Sequence, residues 1–135
     1  MNKIDFINKE YEARVMVSEK EYLDLLRHYS KCRCPKRKII IPQSNVLDKL
    51  KELKIDLSKL ILLTDLTTER MEIKYKKYTL VIDKNYFRNR VDYNVEVESF
   101  TRKAAKIYLL KHVLPFGITY KKGYISKSRR AIYNL

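Results

Sequence analysis

From Lys9 to Val17 the chain alternates without a break: Glu10, Glu12, Arg14 and Met16 fall on one side of an extended backbone, and Tyr11, Ala13, Val15 and Val17 on the other. A period of two admits a strand and excludes a helix, and this strand has one apolar face and one ionic face. The pattern returns further on. From Thr67, Arg70, Glu72, Lys74 and Lys76 oppose Met71, Ile73 and Tyr75; then Thr79, Val81 and Asp83 oppose Leu80 and Ile82. In Tyr93 to Glu98, Glu96 and Glu98 oppose Val95 and Val97. With Lys76-Lys77-Tyr78 as a tight connection, the last three segments predict an antiparallel meander.

Helices fit between these strands. Ser18 and Glu21 have capping-box spacing, and Tyr22, Leu25, Leu26 and Tyr29 follow at helical intervals. Ser44 or Asn45 caps a short helix carrying Val46, Leu50 and Leu53, and Ser58 starts a further turn. Thr101 caps a last long helix, with Ala104, Ile107, Tyr108, Leu110 and Leu114 as its expected apolar face and Pro115 with Gly117 as its stop. Ser30 to Arg37 reads as a basic loop leading into the β-branched run Ile39 to Ile41. Ile118, Tyr120, Tyr124 and Ile125 predict a final strand in a basic tail.

The 135 residues suit a single domain over 1–135, and 30 basic against 16 acidic residues leave a formal net charge of +14. Such an excess attracts a polyanion, nucleic acid or polyphosphate. The apolar runs are too short to cross a bilayer, no apolar signal segment opens the chain, and Cys32 and Cys34 suit a reducing compartment, so a cytoplasmic protein with no membrane partner is expected. A zinc site built from His28, Cys32 and Cys34 lacks a fourth ligand unless His112 comes near, and no Gly-rich phosphate loop, nucleophile elbow or H-E-x-x-H is present.

The ionic faces hold the chemistry. Glu10 and Glu12 stand about 6.6–6.8 Å apart along one strand face, and Glu96 and Glu98 repeat the arrangement. With Asp83, carboxylates from facing strands converge on a hard cation, Mg²⁺ or Mn²⁺, which takes oxygen ligands and bridges carboxylates to phosphates. Arg14, Arg70, Lys74 and Lys127 suit the phosphate oxygens that remain. The plain alternative is a set of cross-strand ion pairs worth roughly 0.2–1 kcal/mol each.

Glu10-Tyr11-Glu12-Ala13-Arg14 resembles the E-x-E-x-K signature of the CYTH superfamily, the triphosphate tunnel metalloenzymes, with Arg14 at the lysine. Thr68-Glu69-Arg70 is similar to the family's T-x-R strand, Leu80 to Lys84 to its hydrophobic strand ending in aspartate, Tyr93 to Glu98 to its late E-x-E strand, and Lys127 to its closing lysine. The resemblance implies an α+β fold, an antiparallel β-barrel or tunnel-like sheet with helices outside. It implies metal-dependent binding and hydrolysis of inorganic triphosphate or an organic triphosphate. Glu10, Glu12, Arg14, Arg70 and Lys127 would be the catalytic set, Glu10, Glu12, Asp83, Glu96 and Glu98 the metal side, and Arg14, Arg70, Lys74, Lys84, Lys127 and Arg129 the phosphate side.

The basic loop Cys32 to Lys38 stands where the family has an aspartate-threonine strand, a basic R-x-R strand and a strand ending in lysine. The chain therefore resembles an internally shortened member, its tunnel incomplete, opened into a groove, or completed by a second copy paired near Cys32 to Ile41. The alternative function is a non-catalytic basic module for polyphosphate or RNA. For that reading, the 11 tyrosines interleaved with Lys and Arg, above all Tyr120, Lys121, Lys122, Tyr124 and Lys127, supply stacking surfaces and charge.

Overall fold

The computed structural model describes residues 11–30, 36–40, 45–59 and 64–133, of which 36–40, 45–47 and 57 by backbone alone. Glu10, Cys32, Cys34 and Ile41, and with them much of the expected dimer segment, lie outside the described residues. The strands are β1 (Tyr11–Val17), β2 (Lys36–Ile40), β3 (Leu66–Lys74), β4 (Tyr78–Phe87) and β5 (Val91–Ser99). The helices are α1 (Glu19–Tyr29), α2 (Asn45–Glu52), α3 (Arg102–Val113) and α4 (Lys127–Tyr133).

The strands form one sheet in the order β1-β5-β4-β3-β2, with every neighbouring pair antiparallel. β3, β4 and β5 are the expected meander. Among the described residues the outer edges of β1 and β2 have no strand partner, so the sheet is open rather than a closed barrel. This is an α+β fold.

Register explains the two faces. Ala13 pairs with Val97 and Val15 with Val95; Val97 and Val95 pair in turn with Leu80 and Ile82, which face Ile73 and Met71 on β3. The apolar parity of four strands thus becomes one continuous surface. α1 lays Tyr22, Leu25 and Tyr29 on it, and α3 lays Ala105, Leu109 and Val113. Leu25, Leu80, Val95, Val97, Leu109 and Val113 are fully buried, each stabilising the fold by roughly 1.5–3 kcal/mol.

The caps are those the sequence signalled. Ser18 Oγ accepts from the Glu21 N–H at 3.2 Å while Glu21 Oε1 accepts from the Ser18 N–H at 2.8 Å, and Thr101 Oγ1 accepts from the Ala104 N–H at 3.0 Å. The buried stripe of α3 differs from the expected one: Ile107 and Leu114 are exposed, and the core side is Ala105, Leu109, His112 and Val113. The cause is His112, a polar residue held in the interior by two tyrosines. Its Nδ1 is 2.6 Å from Tyr29 Oη and its Nε2 is 2.8 Å from Tyr78 Oη. Burial, with smaller effects of Lys111 and His28, lowers its pKa to about 4, so the imidazole is neutral at pH 7.

The expected strand around Ile118 to Ile125 does not form. Ile118 is buried in the core, but Gly117 and Gly123 take positive φ values of 73° and 89°, and the chain between them crosses irregularly toward the ionic face. Ser126 then starts α4, its Oγ accepting from the Arg129 N–H at 3.3 Å and its carbonyl from the Arg130 N–H at 2.9 Å. α4 reaches the ionic face through two side chains, Lys127 on Asp83 and Arg130 on Asp92.

Candidate phosphate and cation site

Antiparallel register carries the ionic parity of each strand onto one surface. Glu12 pairs with Glu98 and Arg14 with Glu96 across β1 and β5; Asp83 pairs with Asn94 across β4 and β5 and with Arg70 across β3 and β4. Glu12, Glu96 and Glu98 therefore share a face with Arg70 and Asp83. Lys127, the first residue of α4, reaches down onto the same place.

Glu96 is the junction of this cluster. It is almost fully buried, and one oxygen from each of Glu12, Glu96 and Glu98 can lie within 4.8 Å of the others. Three cations surround the same Glu96 carboxylate: Arg14 Nε at 3.8 Å, Arg70 Nη2 at 3.7 Å and Lys127 Nζ at 3.7 Å. Arg14 also pairs with Glu12. An acidic trio and a cationic trio thus meet at one side chain.

Asp83 stands apart from the acidic trio. Its oxygens accept both forks of Arg70 at 2.8 Å, the Lys127 ammonium, and Asn94 Nδ2 at 3.3 Å. Both carboxylate oxygens are engaged, so its work here is to hold Arg70 and Lys127 in position. Burial opposes the Arg70 charge, but the hydrogen bond and attraction of Asp83, with Glu96 and Glu72 behind it, raise the Arg70 pKa above its ordinary value. The guanidinium is permanently charged.

A buried polar row continues from this cluster beneath α4. Asn94 Nδ2 donates to Glu96 Oε1 at 3.2 Å, Asn85 Nδ2 donates to Asn94 Oδ1 at 2.7 Å, and Thr68 Oγ1 donates to Asn85 Oδ1 at 2.8 Å. Arg130 of α4 donates from Nε to Asp92 Oδ2 at 2.8 Å. Sequence reasoning assigned no site role to Asn85, Asp92, Asn94 or Arg130, and Thr68 entered only as part of the T-x-R motif. Parity was the available signal for the strand residues, since Asn85 shares the side of Asp83, and Asp92 and Asn94 that of Glu96.

The remaining candidates fall elsewhere. Lys84 lies on the other face of the sheet, its ammonium 5.0 Å from the Tyr86 ring centroid and 6.0 Å from that of Tyr93; strand parity separates it from Asp83. Lys74 shares the ionic face by register but is exposed at the far end of β3, opposite Thr79. Arg129 is exposed on α4.

Glu12, Glu96 and Glu98 offer carboxylate oxygens alone, the donor type that hard divalent cations take. Arg14 Nε, like Arg90 Nε, is shielded from solvent and has no hydrogen-bond partner among the described residues, Glu96 Oε1 lying 3.8 Å from it. The Tyr124 ring lies 5.3 Å from the Arg14 guanidinium and 4.9 Å from that of Arg130. An oxygen-rich anion beside the acidic trio would satisfy the Arg14 donor.

No protein-family model and no curated protein matches the chain. Among solved structures, the chain is similar to a Bacillus halodurans protein described as a "putative adenylate cyclase", with 16% sequence identity and a TM-score of 0.61. The superposition spans 89% of this chain and 96% of that one, so the two share a fold over nearly their whole lengths.

Proposed function

We propose that this chain is a CYTH-type domain that binds a triphosphate on its ionic face with Mg²⁺ or Mn²⁺ and hydrolyses the terminal phosphoryl group. The observation that carries this reading is the meeting of three carboxylates and three cations at Glu96. Surface ion pairing needs neither a buried junction nor three strands and a helix converging on it. The shared fold with the Bacillus halodurans protein adds support for the family.

Glu12, Glu96 and Glu98 would hold the divalent ion, which when bound neutralises phosphate oxygens and increases the electrophilicity of the phosphorus. Arg14, Arg70 and Lys127 would take the other phosphate oxygens, exchanging a share of their Glu96 contact for a closer anion. Asp83 keeps Arg70 and Lys127 aimed while that exchange occurs. In the reaction a water oxygen bonds to the terminal phosphorus as the bridging P–O bond breaks, diphosphate leaves with the electron pair, and a carboxylate of the face takes the water proton. Positioning and charge stabilisation carry most of such a reaction.

Phosphate release from inorganic triphosphate, measured with and without Mg²⁺ or Mn²⁺, tests this. Release that requires the divalent ion supports a phosphohydrolase. Metal-dependent binding without release would leave a non-catalytic polyphosphate module.

A further inference from the structure

Beside the acidic trio, a cleft of about 530 Å³ opens along the edge of β1 that has no strand partner among the described residues, between the start of α3 and the segment before α4. Its volume lies within the roughly 300–1,000 Å³ of small-ligand sites. Three tyrosines line it, and each has a cation over its ring: Arg102 at 5.9 Å from Tyr11, Lys106 at 5.1 Å from Tyr120, and Arg14 at 5.3 Å from Tyr124. Among the described residues Glu12 is the one acid in the lining.

The charges here work against the fold. α3 has no acid in its first turn and begins Arg102-Lys103, with Lys106 one turn later. Cations at a helix N-terminus oppose the macrodipole, and like charges at i and i+4 repel. No carboxylate among the described residues pairs with Arg102 or Lys106 to offset this. Lys121 and Lys122 continue the positive charge past Tyr120, and both are exposed.

We propose that this edge cleft, which adjoins the acidic trio and shares Glu12 and Arg14 with it, is a docking site for single-stranded nucleic acid that needs neither metal nor triphosphate. Three partly exposed rings and their neighbouring cations in one cleft offer contacts to bases and to phosphates together, and such sites bind with little sequence preference. An acidic peptide would use the cations and leave the three rings without a role. Duplex is disfavoured because its bases are stacked on one another and do not present their faces.

The test uses fluorescence anisotropy with a labelled oligouridine of about 12 nucleotides carrying a 5′-hydroxyl, in EDTA, between about 50 and 200 mM salt. Arg102→Ala with Lys106→Ala should weaken binding about tenfold at the low-salt end and flatten the slope of log affinity against log salt by about 1.4, two contacts at roughly 0.7 each. Lys76→Ala with Lys77→Ala, an equal charge loss on the exposed β3–β4 turn, should leave the slope unchanged. Thymidine oligomer should bind at least about tenfold more tightly than an abasic strand of equal length, since stacking contributes roughly 1–3 kcal/mol per base. Equal weakening in the two double variants would reduce the effect to diffuse charge and overturn the proposal. So would equal binding of thymidine and abasic strands, which would indicate a general polyanion surface. Because no metal or triphosphate is present, neither outcome bears on the triphosphate reading.

Discussion

Acid should destabilise this protein well before its carboxylates are protonated, because His112 is folded as a neutral imidazole between Tyr29 and Tyr78. Burial lowers its pKa from 6.5 to about 4. In the unfolded chain the same imidazole takes up a proton near 6.5. Between these values the unfolded state binds more protons, so stability is full above about pH 6.5 and falls as the pH drops toward 4. Linkage gives a loss of about 2 kcal/mol by pH 5 and roughly 3 kcal/mol at the acid limit. The assay is urea unfolding followed by far-ultraviolet circular dichroism from pH 7.5 to 4.5, on the parent and on His112→Gln. Glutamine keeps an amide between the two hydroxyls and removes the titration. Its stability starts lower than the parent's at pH 7.5, and the gap should close by about 2 kcal/mol at pH 5. Parallel curves for the two proteins between pH 7.5 and 5 would refute a depressed His112 pKa.

Asp83→Asn should cost about 3–5 kcal/mol in the same denaturant assay, because it leaves the Arg70 and Lys127 charges on the ionic face without their shared carboxylate. Ser18→Ala should cost about 1 kcal/mol through loss of the α1 capping box, a loss visible as a lower urea midpoint at unchanged m-value. Ile107→Ala, at an exposed position of α3, should change stability by less than about 0.5 kcal/mol, whereas Leu109→Ala should cost about 2–5 kcal/mol, which checks the buried stripe directly.

Parity carried most of what could be read in advance. A strand has one degree of freedom that matters for its faces, so Glu12, Arg14, Arg70, Asp83, Glu96 and Glu98 could be assigned to a common side from period-two spacing once the strands were paired. Lys84 was misplaced because the match to a family strand was followed past the point where parity disagreed: adjacent residues cannot share a face. α4 was not legible as a helix because Ile118, Tyr120, Tyr124 and Ile125 imitate a strand in a short segment, while the actual helix start depends on Ser126 and on Lys127 and Arg130 finding acids on the sheet. His112 was invisible as a core residue for a different reason. Its two partners are 83 and 34 residues away, and only the folded chain brings their hydroxyls to the imidazole.

The central claim is that the acidic trio and its cations form one chelate site for a metal and a triphosphate. Calorimetric titration of inorganic triphosphate into the parent and into Glu96→Gln with Glu98→Gln, in Mg²⁺ and again in EDTA, tests it most directly. The parent should bind tightly in Mg²⁺ and weakly in EDTA, and the double variant should lose the Mg²⁺-dependent part even though its net charge is two units more positive. Equal binding of triphosphate by parent and double variant in Mg²⁺ would contradict it and make these carboxylates ordinary partners of Arg14, Arg70 and Lys127.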